Sequence, residues 1–290
     1  MSDRYIPGVP CWIDTMHPDP AAAAEFYGQL FGWELEDVMP PESDGRYYMA
    51  RLPGGDVGAI GGPSEDASRP AAWNTYIWVE SADETAAKVR EAGGSVLAEP
   101  FDVFDAGRMA VCADPEGAAF SLWQAGRNRG AGVVNEPGSL NFNVLNTRDL
   151  DAAARFYGAV FGWEPIDVGG APMWALPGYD QFLESRTPGT LQGAAEMGAP
   201  PRFMEVVAAA TPIADDQLPA HWGITFGVED ADAVAAKTTE LGGTVLMAPF
   251  DAPWVRMTVI RDPQGATFTA SKFVPENRDL PTSAGAATGA

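Results

Sequence analysis

The chain is written twice. EFYGQLFGWE at 25–34 returns as RFYGAVFGWE at 155–164, EAGGSVLAEPFD at 91–102 returns as ELGGTVLMAPFD at 240–251, and ADPEGAAFS at 113–121 returns as RDPQGATFT at 261–269. Phe26 therefore matches Phe156, Gly93 matches Gly242 and Asp114 matches Asp262. The blocks keep their order, with insertions only between them, so the two halves must fold alike. At 290 residues the chain is long enough for two domains that each bury a core. The expected division is 1–127, a connector at 128–137 and 138–275, with a flexible tail at 276–290 that ends in the small, polar PTSAGAATGA.

Each half divides again. Apolar spacing and end signals predict helices over 19–31, 82–92, 149–161 and 230–241. In the first, Phe26 with Leu30 and Tyr27 with Phe31 form one stripe, Pro20 stands at the start and Gly32 just past the end. Ser81 is the expected N-cap of the second, which closes on Gly93 and Gly94. Short strands such as RYYMARL, VGAIGG, WNTYIWVE, RMAVCAD and AAFSLWQ fill the intervals. One strand precedes each helix and about three follow it. The plan is βαβββ, four times over. One such unit leaves a sheet face open, and pairing two units closes it around a cavity.

Composition narrows the partners. With 18 basic and 40 acidic residues the formal net charge is −22, which repels phosphate backbones and anionic membranes. Neither nucleic acid nor membrane is an expected partner. Cys11 and Cys112 lie in apolar strands and read as small buried residues. MSDRYIPG lacks the charged-then-apolar order of a signal peptide, and no apolar run is long enough to span a bilayer, so a cytoplasmic protein is expected.

Paired βαβββ units, the opening CWID with the following FYGQLFGW, the segment REAGGSV and the strand lead-in DPEGAAFSLWQ together resemble the vicinal oxygen chelate superfamily. That superfamily includes glyoxalase I, extradiol dioxygenases, fosfomycin-resistance enzymes and bleomycin-binding proteins. More narrowly, the chain is similar to two-domain actinobacterial glyoxalase-like proteins. The resemblance covers about residues 8–125 and 138–273. It implies an α+β fold in which four βαβββ units pair into two domains, each a curved mixed sheet around a cavity. It also implies where metal-dependent members carry His or Glu ligands. Those positions fall at Trp12, Gly58 to Ile60, Asn74 and Ser121 in the first half, and at Phe142, Gly193 to Glu196, Gly223 and Thr269 in the second. Glu196 alone among them has the chemistry of an ordinary ligand, and one carboxylate does not hold a divalent ion. No metal and no cofactor is expected.

Strand alternation then says what lines the cavities instead. The first would hold Trp12, Asp14, Asn74, Tyr76, Trp78, Ser121 and Trp123, a ring-rich wall suited to a planar small molecule, or simply core packing. The second would hold Phe142, Val144, Gly223, Thr225, Thr269 and Ser271, with fewer rings. Asp14 is the candidate for proton chemistry, since an aromatic wall raises a carboxylate's pKa, with His221 or Tyr76 as its helper. It can equally be a strand-end acceptor of backbone N–H groups, and its counterpart Val144 is apolar. His17, before Pro18 and Asp19, reads as a solvent-exposed turn residue. Two functions follow: a metal-independent protein binding an aromatic or polycyclic metabolite or antibiotic, or a metal-free lyase, isomerase or cyclase using Asp14. Because one chain already supplies four units, a monomer or a homodimer is expected.

Overall fold

The structure, a computed structural model, describes residues 4–62, 71–215 and 217–281. Four βαβββ modules follow one another. The first is β1 (Pro10–Met16), α1 (Pro20–Phe31), β2 (Glu34–Asp37), β3 (Arg46–Leu52) and β4 (Gly55–Gly62). The second is β5 (Ala72–Trp78), α2 (Ala82–Glu91), β6 (Ser95–Val103), β7 (Gly107–Ala113) and β8 (Ala119–Ala125). The third is β9 (Leu140–Thr147), α3 (Leu150–Phe161), β10 (Glu164–Val168), β11 (Ala171–Ala175) and, after two extra helices, α4 (Tyr179–Arg186) and α5 (Thr190–Glu196), β12 (Val206–Pro212). The fourth is β13 (His221–Gly227), α6 (Ala231–Glu240), β14 (Thr244–Ala252), β15 (Val255–Arg261) and β16 (Thr267–Phe273). The strands form two mixed eight-stranded sheets, ordered β2-β3-β4-β1-β5-β8-β7-β6 and β10-β11-β12-β9-β13-β16-β15-β14.

The four expected helices form where their end signals stand. Asp19 accepts from the Ala22 amide, Pro20 opens α1 and Gly32 closes it at φ 72°. Asp149 and Gly162 do the same for α3, and Ser81 caps α2 through the Glu84 amide. α4 and α5 had no such signals. Each starts after a left-handed glycine, Gly178 or Gly189, without a side-chain cap, and α4 buries no residue. The expected flexible tail begins with a docked turn, where the Asn277 amide donates to Asp251 and to the Val255 carbonyl. Its residues 282–290 lie outside the described residues.

Chain contacts divide the molecule into two compact units that each draw on both repeats. One comprises 12–75, 130–142 and 223 onward, so the first module lies with the fourth. Its core holds Ile13, Phe26, Tyr27, Trp33, Ile60, Trp73, Phe226 and Phe268. At its centre the Tyr27 hydroxyl donates to Asp262 at 2.8 Å and accepts from Trp73 Nε1 at 3.2 Å. The other oxygen of Asp262 accepts the Gln264 and Ala266 amides of its own tight turn. The other unit comprises residues up to 11, 76–129 and 143–222, and builds the same lock from other residues. There Tyr157 donates to Asp114 at 3.1 Å and accepts from Trp222 Nε1 at 3.0 Å, while Asp114 accepts the Glu116 and Ala118 amides. Burial pushes the Tyr27 and Tyr157 phenols well above their usual range, with the adjacent carboxylates adding to the effect, so both stay donors. The repeated FY, W and DP-x-G motifs are thus the parts of one lock, used twice.

Cys11 and Cys112 are buried free thiols, as their apolar strands implied. Among the described residues, no helix is long and apolar enough to cross a membrane.

Candidate functional site

In the first unit, β1 turns Ile13 and Thr15 to one face and Trp12, Asp14 and Met16 to the other. Ile13 joins the core under α1. On the other face Asp14 is 1% exposed. A carboxylate this deep must have its lone pairs met by donors. Asn74 Nδ2, on β5, donates to its Oδ1 at 2.8 Å, and the Tyr47 hydroxyl, on β3, donates to its Oδ2 at 3.0 Å. Trp12 Nε1 in turn donates to the Tyr47 hydroxyl at 3.3 Å. Burial, and then the charge of Asp14, hold the Tyr47 phenol well above its usual range, so it remains a donor to the acid. Trp12, Tyr47, Asp14 and Asn74 form one connected polar network on an aromatic wall.

The sequence reading missed Tyr47. The available signal was its partner across the sheet. Tyr47 pairs with Gly61 of β4, and a Cβ at Gly61 would stand 2.9 Å from Tyr47 Cδ2 and 2.8 Å from Met16 Sδ. Glycine there lets the ring and the thioether lie down over β4 and brings the hydroxyl within reach of β1.

The remaining candidates fall as follows. Tyr76, Trp78, Ser121 and Trp123 are buried in the second unit, where Tyr76 pairs with Ser121 and Trp78 with Trp123 along β5 and β8. The rings of Tyr76 and Trp123 meet edge to face at 6.2 Å, Trp78 packs on Tyr5 at 5.9 Å, and Trp123 Nε1 donates to the Asn128 carbonyl. His221 is half-buried in the same unit, 2.9 Å from the Pro219 carbonyl through Nδ1, which must therefore carry the proton. Phe142 and Thr269 are half-buried in the first unit, on β9 and β16.

Two expectations need correction. His17 is not a solvent-exposed turn residue: it is 2% exposed. Its local sequence is that of a turn, but its surroundings come from elsewhere in the chain, with Asp262 Oδ2 3.5 Å from its Nε2. Glu196 does not belong to a sheet position. It lies exposed on α5, bonded to Gln192, because the α4–α5 insertion displaces the register there. The strand beside β9 is β12, in which Ala209 pairs with Val144 just as Ala59 pairs with Asp14. The positions that the resemblance assigned to metal ligands thus hold Trp12, Ala59, Asn74 and Ser121, then Phe142, Ala209, Gly223 and Thr269. None offers an imidazole, thiolate or carboxylate, so these residues do not fit the ligand set of metal-dependent members. Among the described residues no group of three or more His, Cys, Asp or Glu side chains is placed to hold a metal ion.

Strand register also allows the repeats to be compared residue for residue. Asp14 corresponds to Val144 through the pairings just given, and Trp12 to Phe142 two residues earlier. Met49 pairs with Ala59 and Met173 with Ala209, so Tyr47 corresponds to Ala171. Trp73 and Trp222 fill the same place in the two locks, so Asn74 corresponds to Gly223. All four members of the network are replaced together in the second repeat.

Comparison with known proteins agrees with this architecture. The chain belongs to the glyoxalase/bleomycin resistance protein/dioxygenase superfamily, whose family model matches residues 12–122 and 139–269. CFP32 of Mycobacterium tuberculosis, which carries a glyoxylase name, is 40% identical over 276 residues, covering 94% of this chain and 98% of that protein. The anthracycline biosynthesis protein DnrV of Streptomyces peucetius is 36% identical over 302 residues, covering 98% and 99% respectively. Among solved structures, the 2,3-dioxygenase LapB from Pseudomonas sp. KL28 superposes with a TM-score of 0.60 at 12% identity, over 92% of this chain and 93% of that one. The Mn(II)-bound glyoxalase from Novosphingobium aromaticivorans gives 0.59 at 14% identity, over 92% and 83%. Identity this low speaks for the fold alone.

Proposed function

We propose that the chain is a metal-independent binding protein for an aromatic or polycyclic small molecule, held at the Trp12–Tyr47–Asp14–Asn74 network. The observation that carries this reading is the joint loss of all four residues in the second repeat. The same backbone there holds Phe142, Ala171, Val144 and Gly223, so the fold does not need the network. A buried carboxylate with its donors costs desolvation that an apolar residue avoids, which supports its retention for a ligand. Relatives named for anthracycline biosynthesis support a planar polycycle as the class. Phe142 and Thr269, which lie in the same unit as the network, are proposed as further contacts.

Titration with 1,4-dihydroxyanthraquinone, a planar ring system with hydroxyl groups, is expected to quench tryptophan fluorescence saturably. Tyr47→Phe and Asp14→Asn are expected to weaken binding, whereas Val144→Ala leaves it unchanged. A quench that is absent, or equal in all four proteins, rejects the reading. Metal analysis of the purified protein is expected to find less than stoichiometric metal.

The Tyr47–Asp14 hydrogen bond favours a second reading, a metal-free lyase, isomerase or cyclase in which Asp14 exchanges a proton with the ligand. In that case Asp14→Asn keeps binding and loses turnover. We take the protein to act in the cytoplasm, as a monomer or a homodimer, on a small molecule rather than on nucleic acid or membrane.

A further inference from the structure

His17 is the buried titratable group that neither reading uses, and the hydrogen-bond inventory around it fixes its state. Thr15 Oγ1 lies 3.0 Å from the Ala72 carbonyl, which can only accept, so the single hydroxyl proton of Thr15 points there. At the 3.1 Å contact between Thr15 Oγ1 and His17 Nε2, the threonine must then accept and the ring must donate. Nε2 carries the proton, with Asp262 Oδ2 3.5 Å away on its other side. Nδ1 keeps a lone pair and has no hydrogen-bond partner among the described residues. The result is a directed chain, from His17 Nε2–H to Thr15 Oγ1–H to the Ala72 carbonyl.

This chain ends beside the site. Thr15 is the neighbour of Asp14 on β1, and Ala72 lies two residues before Asn74 on β5. The Thr15–Ala72 bond and the 2.8 Å Asn74–Asp14 bond therefore tie the same two strands together at adjacent positions, one on each face of β1. The second repeat is again the control. Thr147 stands where His17 stands and bonds the Glu116 carboxylate, so an imidazole is not what the fold requires at this place.

We propose that His17 is the positioning residue of the Asp14–Asn74 pair, holding β1 to β5 through Thr15, and that a proton taken up at Nδ1 loosens this hold and couples the site to pH. The proposal rests on the binding reading only for its consequence, since the coupling itself involves no ligand. The titratable groups facing the ring among the described residues are Asp262, from the turn between β15 and β16, and Tyr27, from α1, its ring centroid 6.0 Å away. On protonation the new Nδ1–H is a buried donor without an acceptor among the described residues, and the cation's remaining N–H is drawn from the neutral Thr15 oxygen toward the Asp262 carboxylate. Both changes act on the bond to Thr15. Burial holds the imidazole below its usual range, against the opposing pull of Asp262, so this happens on the acid side of neutrality.

The test uses the full chain without ligand. The chain has two histidines, so both rings can be assigned in a long-range proton–nitrogen spectrum. His17 is expected as the Nε2-protonated tautomer, and His221 as the Nδ1-protonated one, an internal reference. Between about pH 8 and about pH 5 the Asn74 side-chain amide signals are expected to move with the His17 midpoint. In Thr15→Val, which keeps the shape and removes the relay, His17 still titrates and Asn74 no longer follows it. In His17→Gln the Asn74 step is lost. An Nδ1-protonated His17, or an Asn74 step that persists in Thr15→Val, overturns the proposal; the latter is also what titration of Asp14 itself would give. If His17→Gln folds poorly, Thr15→Val decides alone. Failure of dihydroxyanthraquinone to bind would reject the binding reading and leave this result standing.

Discussion

Tyr47 and Asp14, 33 residues apart in sequence, are joined by a 3.0 Å hydrogen bond from phenol to carboxylate. The bond crosses from β3 to β1 over the intervening β4, and it reaches because β4 offers Gly61 beneath the ring. Removing the hydroxyl in Tyr47→Phe leaves a buried carboxylate short of one donor and the Trp12 N–H without its acceptor. The expected loss is about 1–3 kcal/mol of folding stability, read by urea denaturation. Combined with Asp14→Val, which brings in the residue of the second repeat, Tyr47→Phe is expected to cost less than the sum of the two single changes, because the bond they share is lost only once. Strictly additive costs contradict the network.

Gly61 gives a second, steric test of the same site. A methyl group there meets Met16 Sδ at 2.8 Å and Tyr47 Cδ2 at 2.9 Å, inside any normal contact. The thioether can move, but the ring cannot do so without giving up Asp14. Gly61→Ala is therefore expected to cost about 1–3 kcal/mol and to weaken dihydroxyanthraquinone binding along with stability. Gly93→Ala, at a left-handed position with open space around it, provides a variant that is strained but lies in the other unit. Binding lost equally in both variants would mean that general destabilisation, not displacement of Tyr47, is responsible.

The fold was legible because it is carried by repeated local signals: caps at Asp19, Ser81 and Asp149, glycine stops at Gly32 and Gly162, and alternation along the strands. The site was legible only in part. Trp12, Asp14 and Asn74 share faces that strand periodicity assigns, and the structure brings all three together. Tyr47 escaped because its role depends on the residue opposite it, which periodicity along one strand does not reveal. His17 escaped for a stronger reason. Its partner Asp262 is distant in sequence, in the other repeat, and no local pattern reports a contact of that kind. The α4–α5 insertion misled in the opposite way, by moving the sheet register away from Glu196 to the unremarkable run Ala208 to Ala210.

The two thiols give a simple check on the packing. Burial pushes Cys112 up to about 12 and Cys11 higher still, and both residues are fully buried. The thiolate is the reactive form, so neither should react in the folded protein. No colour is expected with a disulfide reagent such as DTNB at about pH 8, where an ordinary thiol is partly ionised, and two equivalents are expected after unfolding in guanidinium. Rapid reaction of either thiol in the native protein would mean that β1 or β7 opens far more readily than its burial implies.

The two Tyr–Asp–Trp locks differ in one respect that pH can read. Both have a buried phenol, a carboxylate and an indole, but His17 borders the one at Asp262 and Thr147 takes that place near Asp114. Burial lowers the His17 pKa in the folded protein. The unfolded chain therefore takes up the proton first as the pH falls, and stability moves toward the state that binds it. His17's contribution is fully present above its unfolded value of about 6.5 and is lost as the pH falls from there toward the folded value. Urea midpoints measured between about pH 8 and about pH 5 should thus fall more steeply for the wild type than for His17→Gln. The difference between the two curves isolates the imidazole from the general relief of repulsion that acid brings to a chain of formal charge −22. Thr147→Val, which alters the other lock, should shift the curve without changing its slope in this window. Parallel curves for wild type and His17→Gln would mean that His17 binds its proton equally well folded and unfolded.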